Sequence, residues 1–364
     1  MGIPINEMGK RVGLQDVARA LGVSIGTVDR ALHNRPGVNP MTRAKVVQMA
    51  RTMGYRPNLA ARALASKRPT RIAAVLPCDP NEFFGGVTEG ILEAARAFES
   101  VGVIVESRQC PWLKDGEAQV IEAAIEDGVN GLIIAPGNPE AVRGVIRKAS
   151  RRNVPVVCVA TDAPGTERLT VVRADPATSG AIAAELLGRV LWSKGRVAVV
   201  TGSIMTATHG EILEGFRTTL ASDFPEMQFS AVLEAHDDED EAYRKTLELF
   251  SSGREISGLY VSTSNSMPVL RALDELGLTG KVIVVTMDLF PALARRIQDG
   301  AVLASIYQRP RNQGRQAFRA LHRFLAEGIC PQSQMGFPPH IIMRSNLRLF
   351  LRSTPGAAGE DRTG

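Results

Sequence analysis

Apolar residues recur at helical spacing twice near the start of the chain, first at Leu14, Val17, Ala18 and Leu21 and then at Val28, Ala31 and Leu32. Gly22 supplies a turn between the two sets and Ser24 an N-cap for the second, so the stretch predicts two short helices packed on each other. That packing leaves Ile25, Gly26, Thr27, Asp29 and Arg30 facing outward. A third helix is predicted behind Asn39 as N-cap and Pro40 at the first helical position, with Ala44, Val47, Ala50 and Met53 along one face before Gly54. The Ala-rich run that follows, bounded by Pro57 and Pro69, is too short to be a stable helix alone; against DNA or a second copy of the chain it becomes one.

From residue 71 the pattern changes. Short β-branched runs at 72–76, 103–106, 131–135, 154–160, 196–201, 258–262, 282–287 and 302–306 alternate with helix-length amphipathic segments such as 87–99 and 179–191. That alternation specifies parallel sheets wrapped by helices, and the length suffices for two lobes. The expected architecture is an all-α helix-turn-helix headpiece followed by a two-lobed α/β domain with parallel sheets. Chain crossings between lobes are expected near 171–175, near Gln308 and near 335–341. The expected bounds are an N-terminal extension over 1–11, a headpiece over 12–57, a hinge and linker over 58–70, the body over 71–352 and a disordered tail over 353–364.

Charge divides the same way. Residues 1–71 hold 13 Lys and Arg against 3 Asp and Glu, while the rest holds 30 against 35, so a net of +10 at one end is hidden within +5 overall. A small basic head with ordered apolar periodicity points to a polyanion, because phosphate contacts by Lys and Arg supply most non-specific DNA affinity.

In open parallel sheets ligands bind beyond the carboxyl ends of the strands. Asn81, Phe83 and Phe84 follow the first run, Asp162 the fourth, and 206–209, ending in His209, the first run of the second lobe; Asn265, Asp288 and Gln308 follow later ones. Carboxylates, amides and paired aromatics suit a sugar, whose hydroxyls want bidentate polar partners and whose C–H faces want flat apolar surfaces.

The stretches Val17-Ala18, Gly22-Val23-Ser24, Thr27-Val28, Arg30, Tyr55-x-Pro57-Asn58 and Ala61-Arg62-x-Leu64 resemble the headpiece and hinge of the lac repressor family. Asn81-Glu82-Phe83-Phe84, Gly215-Phe216 and Gln308-x-Pro310-x-x-Gln313-Gly314 resemble the sugar-binding effector domain of that family, which is similar to periplasmic sugar-binding proteins. The resemblance implies a homodimer on a near-palindromic operator, with Ser24, Ile25, Gly26, Thr27 and Arg30 at the major groove. It places Asn58, Arg62 and Leu64 in a hinge helix at the minor groove, where Leu64 wedges between base pairs. It also implies that Asn81, Phe83, Phe84, Asp162, Asp288 and Gln308 contact a monosaccharide or polyol. The family usually carries an Arg four residues before the aromatic of Gly215-Phe216, and here that position is Ile212; His209 is the compensating donor. Ser262 and Asn265 compete for one further family contact. Asp29 stands where the family usually has Ser beside a phosphate, and Ile25 and Gly26 fall at base-reading positions without bidentate hydrogen-bonding capacity.

Two regulatory readings follow: a ligand-responsive DNA-binding regulator, acting as a repressor, or a constitutive one with a degenerate pocket. Enzyme chemistry finds no motif. The segment 277–281 lacks the spacing and the Ser or Thr of a phosphate loop, and no Gly-x-Gly-x-x-Gly follows the first strand. The acids of 237–241 lack calcium-loop spacing and read as the solvated start of a helix. Five dispersed histidines and four unpaired cysteines suggest no metal or cofactor, the cysteines being read as small buried hydrophobes. No signal-peptide pattern stands near Met1 and no apolar run reaches membrane-spanning length, so the expected location is the cytoplasm.

Overall fold

A computed structural model describes residues 12–32, 36–53, 69–78, 83–110 and 116–351. The expected extension, Asn58, Arg62 and Leu64 of the expected hinge, the expected ligand contact Asn81, and the expected tail lie outside the described residues.

The head is three helices, α1 (Leu14–Leu21), α2 (Ile25–Leu32) and α3 (Pro40–Thr52). Each begins where its capping chemistry dictates. The Asp16 carboxylate accepts the Gly13 amide at 2.8 Å, Ser24 Oγ accepts the Thr27 amide at 3.1 Å, and Asn39 Oδ1 accepts the Met41 amide at 2.8 Å. Gly22 ends α1 at φ 64°, the left-handed conformation that glycine adopts without a Cβ penalty. Val17, Ala18, Val28, Ala31, Val46 and Ala50 form the core. The inward face of α3 is therefore Val46, Met49, Ala50 and Met53 instead of the expected set with Ala44 and Val47. Ala44 is exposed, because α1 and α2 meet α3 along the stripe one position away.

The body contains two six-stranded sheets. The first runs β11 (Gln334–Phe337), β5 (Thr170–Ala174), β4 (Val156–Val159), β3 (Gly131–Ile134), β1 (Thr70–Pro77) and β2 (Val103–Cys110), all parallel. The second runs β12 (His340–Ile342), β10 (Ala304–Tyr307), β9 (Ile283–Met287), β8 (Gly258–Val261), β6 (Arg196–Thr201) and β7 (Gln228–Glu234), with β12 antiparallel to β10 and the rest parallel. Apolar side chains fill both faces of each sheet, which is why the central strands read as unbroken hydrophobic runs.

Helices cover those faces. In the first lobe they are α4 (Phe83–Arg96), α5 (Glu117–Glu126), α6 (Pro139–Arg151) and α12 (Pro310–Glu327). In the second they are α7 (Pro176–Val190), α8 (Ala207–Asp223), α9 (Glu239–Ser251), α10 (Met267–Glu275), α11 (Pro291–Gln298) and α13 (Leu347–Leu351). No described helix is long and apolar enough to cross a membrane. The chain passes between lobes at Asp175, at 308–309 and at 338–339, as expected. Strands β5, β7, β11 and β12 were not expected. β7 and β11 are partly exposed, so they lack an apolar run, and β5 is the strand that leads into the first crossing.

Two helix pairs approach closely through glycine. A Cβ on Gly90 of α4 would stand 2.0 Å from the Arg311 carbonyl oxygen, and one on Gly314 of α12 would stand 2.0 Å from that of Val87. In the second lobe a Cβ on Gly180 of α7 would stand 1.9 Å from the Ile212 oxygen, and one on Gly215 of α8 2.2 Å from that of Ala177. Gly180→Ala or Gly314→Ala must push backbone from backbone, at an overpacking cost of about 1–3 kcal/mol. Gly144→Ala, in open space within α6, raises stability by about 0.5–1 kcal/mol. Thermal unfolding of the full chain reads both signs.

Candidate ligand cleft and nucleic-acid interface

On the head, packing fixes what faces outward. Val28 and Ala31 are buried, whereas Ser24, Ile25, Gly26 and Arg30 of the turn and α2 are exposed and Thr27 is half-buried. Ser24 Oγ also lies 2.8 Å from Thr27 Oγ1, so the hydroxyl pair caps the helix and stands at its N-terminus. The result is a short, exposed helix start with a cation one turn along, a geometry that fits a major groove.

Between the lobes lies a cleft of about 900 Å³. The first lobe contributes Phe83 and Phe84 from the start of α4, packed edge to face with centroids 5.0 Å apart, and Cys78 and Thr161 from strand ends. The second lobe contributes Thr208, His209 and Ile212 from α8, the segment from His236 to Glu241 after β7, Thr263 and Asn265 after β8, and Asp288 after β9. Gln308 closes the floor at the second crossing. Its side-chain amide donates to Asp288 Oδ2 at 3.0 Å and its carbonyl accepts from Gln313 Nε2 at 2.9 Å.

Five of the eight non-glycine residues with positive φ among the described residues, Ala160, His236, Asp237, Asp288 and Arg309, stand at strand ends beside this cleft. Such backbone is costly and concentrates where a side chain must be aimed.

The structure gathers Phe83, Phe84, His209, Asn265, Asp288 and Gln308 around one space, and leaves Asp162 out. Ala160 at φ 67° turns the chain after β4 so that Thr161 lines the cleft while Asp162 does not. The Asp162 carboxylate is buried against Arg168, which donates from both Nε and a terminal nitrogen, and it accepts the Ala163 amide. Arg168 in turn donates to the Ser333 carbonyl at 2.8 Å, so Asp162 ties the loop after β4 to the approach of β11. Both Asn265 and Ser262 reach the cleft, but they differ in partners. The Ser262 hydroxyl donates to the Val200 carbonyl, whereas neither side-chain atom of Asn265 has a partner although the residue is 2% exposed. The hydroxyl of Thr161 is likewise buried without one. Two unpartnered polar side chains on the lining of one cleft leave hydrogen-bonding capacity there for a bound molecule to take up.

Residues not foreseen in the sequence are Thr161, Asp237, Thr263 and Arg173. Arg173, buried on β5, donates to Glu211 at 2.8 and 3.0 Å and to Thr208 Oγ1 at 3.1 Å across the lobes. Thr208 Oγ1 donates to the Ala160 carbonyl and Thr206 Oγ1 to that of Gly137, also across the lobes. The threonines after β6 fall in the stretch singled out as a strand end, but an arginine inside an apolar strand gave no signal of its partner. The acids of 237–241 do begin a helix, with Asp238 accepting the Glu241 amide at 2.8 Å. They also border the cleft, and so are more than a solvated face. Burial pushes the thiols of Cys110 and Cys158 up to about 12, in line with small buried hydrophobes; Cys78 and Cys330 are exposed.

With this geometry in hand, comparison with known proteins is decisive. The family model described as the periplasmic binding protein domain matches residues 72–328, and that of bacterial regulatory proteins of the lacI family matches 13–58. The chain belongs to the periplasmic binding protein domain family and is a lacI-family regulator. Catabolite control protein A of Priestia megaterium is 26% identical over 269 residues, covering 73% of this chain and 79% of that protein. The protein of the same name from Streptococcus mutans is 29% identical over 244 residues, covering 66% and 70%. GanP, a glucose-galactose binding protein from Geobacillus stearothermophilus, superposes with a TM-score of 0.72 at 22% identity, over 77% of this chain and 99% of that one. A solute-binding protein from Burkholderia graminis in complex with D-arabinose gives 0.71 at 22% identity, over 77% and 97%. At those identities the likeness establishes the two-lobed fold. The lacI-family match at residues 13–58 makes the chain a DNA-binding regulator of transcription.

Beneath the inter-lobe contacts sits Glu117, 4% exposed, whose carboxylate accepts the Gly137 amide at 3.2 and 3.3 Å. Burial pushes its pKa up from 4.5 to about 7, against the opposing pull of the amides of Gly137 and Asn138. The native state therefore keeps a proton that the unfolded chain loses, and this group's contribution to stability falls as pH rises from about 4.5 through about 7. At 1.36 kcal/mol per unit the slope integrates to about 3 kcal/mol at most. Glu117→Gln flattens that part of the melting-temperature profile between pH 5 and 8, whereas a profile unchanged by the substitution removes Glu117 as its source.

Proposed function

We propose that the regulator responds to a neutral or polar sugar-like effector, a monosaccharide or polyol, bound between the lobes, and that it acts as a homodimer on a near-palindromic operator in the cytoplasm. The observation that carries this reading is the unpartnered, buried amide of Asn265 in a cleft whose other walls are the Phe83–Phe84 pair and the Asp288–Gln308 pair. A flat apolar surface opposite amides and carboxylates complements a ring with hydroxyls. The known binding partners of the structurally similar proteins, glucose or galactose for GanP and D-arabinose for the Burkholderia protein, are of that class. Asn81, Asp288, Gln308 and His209 are assigned to hydroxyl contacts, and Ser24, Ile25, Gly26, Thr27 and Arg30, with Asn58, Arg62 and Leu64 of the hinge, to DNA.

Three chain crossings let one lobe rotate on the other, and a ligand that bridges them favours one rotation. Operator affinity then changes by the ligand's differential affinity for the two arrangements, whether that recruits or releases DNA. The buried Ile212 on the cleft wall favours a second reading, a constitutive regulator with a degenerate cleft. The unpartnered amide of Asn265 weighs against it, since a cleft without a ligand has no use for the cost.

The test couples two measurements on the full-length protein. Operator DNA is selected from a random pool and its binding followed by fluorescence anisotropy against salt, and thermal unfolding is recorded with millimolar monosaccharides and polyols. One sugar class is expected to raise the transition by a few degrees and to change operator affinity several-fold. Asn265→Leu abolishes the thermal shift and leaves ligand-free DNA binding intact. Sugar binding with unchanged operator affinity would overturn the coupling, and no sugar binding would leave the constitutive reading.

A further inference from the structure

The second-lobe wall of the cleft is longer than the sugar-effector reading, on which this inference rests, requires. In the second sheet the strands β10, β9, β8, β6 and β7 lie side by side, and the chain after each of them reaches the lining: Gln308 after β10, Asp288 after β9, Asn265 after β8, His209 after β6 and Tyr243 after β7. Neighbouring strands stand about 4.8 Å apart, so the four intervals between these five ends make a wall of about 19 Å, which one sugar ring does not fill. The cleft volume of about 900 Å³ agrees, since it lies near the upper end of the roughly 300–1,000 Å³ of sites that enclose drug-sized ligands.

The second-lobe amides that suit a single ring gather at one end of this wall. Asn265, Asp288 and Gln308 follow three neighbouring strands, and the buried amide of Asn265 has no hydrogen-bond partner. Ile212, 1% exposed, lines the wall from α8, and the start of α9 lines it after β7. At that second end Tyr243 supplies an aromatic ring, and Asp240 and Arg244 supply exposed polar groups beside it. The ring is fixed by α10: Glu275 accepts its hydroxyl proton, and the Arg271 guanidinium stands over it 5.0 Å from the centroid. Both partners are exposed and neither is on the lining. Tyr243 is thus an aromatic surface already held in the cleft wall, and a ring that packs on it costs little further side-chain freedom.

We propose that the cleft holds a ligand of two linked units, a disaccharide or a glycoside with a cyclic aglycone. One sugar ring lies against Asn265, Asp288 and Gln308, and the second unit lies at the β7 end on Tyr243. Where that second unit is a sugar, Asp240 accepts from its hydroxyls and Arg244 donates to them.

The experiment is calorimetric titration of the full-length protein with glucose, galactose, mannose and arabinose, with the methyl and phenyl glycosides of each, and with maltose, cellobiose, lactose and melibiose. A disaccharide or phenyl glycoside built on the monosaccharide that binds is expected to bind about tenfold tighter than that monosaccharide, and the methyl glycoside no tighter. Tyr243→Ala, which removes a side chain whose partners are both exposed, abolishes the gain and leaves the affinity for the monosaccharide unchanged. Arg244→Ala lowers the affinity for the disaccharide several-fold and does not alter that for the phenyl glycoside. If no extended ligand exceeds its monosaccharide, or if the gain survives Tyr243→Ala, the inference falls and the sugar-effector reading stands. If nothing in the panel binds, both fall.

Discussion

Backbone packed directly on backbone, at Gly90 with Gly314 and at Gly180 with Gly215, is the constraint on which the rest of the body depends. Each seam joins a helix that starts at a cleft wall to a helix that starts at a crossing. α4 begins with Phe83 and Phe84 and lies on α12, which begins just after Gln308. α8 begins with the threonines and His209 of the cleft and lies on α7, which begins just after Asp175. Because no side chain intervenes at either seam, a rotation at the crossings carries each cleft wall with its lobe as a rigid unit. A bulkier residue at any of the four positions would loosen the wall from the pivot as well as destabilise the lobe.

The two lobes are also tied across the cleft by a few polar contacts: Thr206 to the Gly137 carbonyl, Thr208 to that of Ala160, and Arg173 to Glu211 and Thr208. Each is worth about 0.5–1.5 kcal/mol net, more where a charge is involved. Their sum is of the same order as a typical allosteric coupling of about 1–3 kcal/mol. The arrangement these contacts hold is thus neither so weak that a ligand is irrelevant nor so strong that one cannot matter. Arg173 makes this tie asymmetric. Arg173 holds Glu211 by two charge-assisted bonds, so parting it costs more than parting the threonines.

The sequence carried the architecture because parallel sheets buried on both faces must be written as apolar runs, and the eight expected strands are all present. What it lacked were the edge strands β7, β11 and β12 and the interior β5, whose short apolar run is interrupted by Arg173. β7 is half-exposed along its length and β11 alternates, so neither has the composition of a core strand. The site was legible wherever a polar residue directly follows a strand, as with Asp288 and Gln308. It failed where the chain turns first: at Ala160 a positive φ swaps the directions of Thr161 and Asp162, and the carboxylate goes to Arg168. Nothing in the local pattern distinguishes those two outcomes, because Arg168 is six residues on and its other partner, the Ser333 carbonyl, lies 165 residues away. The acidic stretch 237–241 begins a helix as expected, and only the fold shows that it also borders the cleft. Helix-start chemistry explained every acid in it, so its place beside the cleft left no residue unaccounted for.

The same charges place the two functions apart. Residues 1–71 carry a net of +10 and the remainder −5, part of which is the acidic border of the cleft. At physiological ionic strength such charge acts over about 8 Å, so it cannot steer DNA to the head from across the molecule. What it does is local: phosphate contact is favourable on the head and unfavourable on the body, which confines DNA binding to the head.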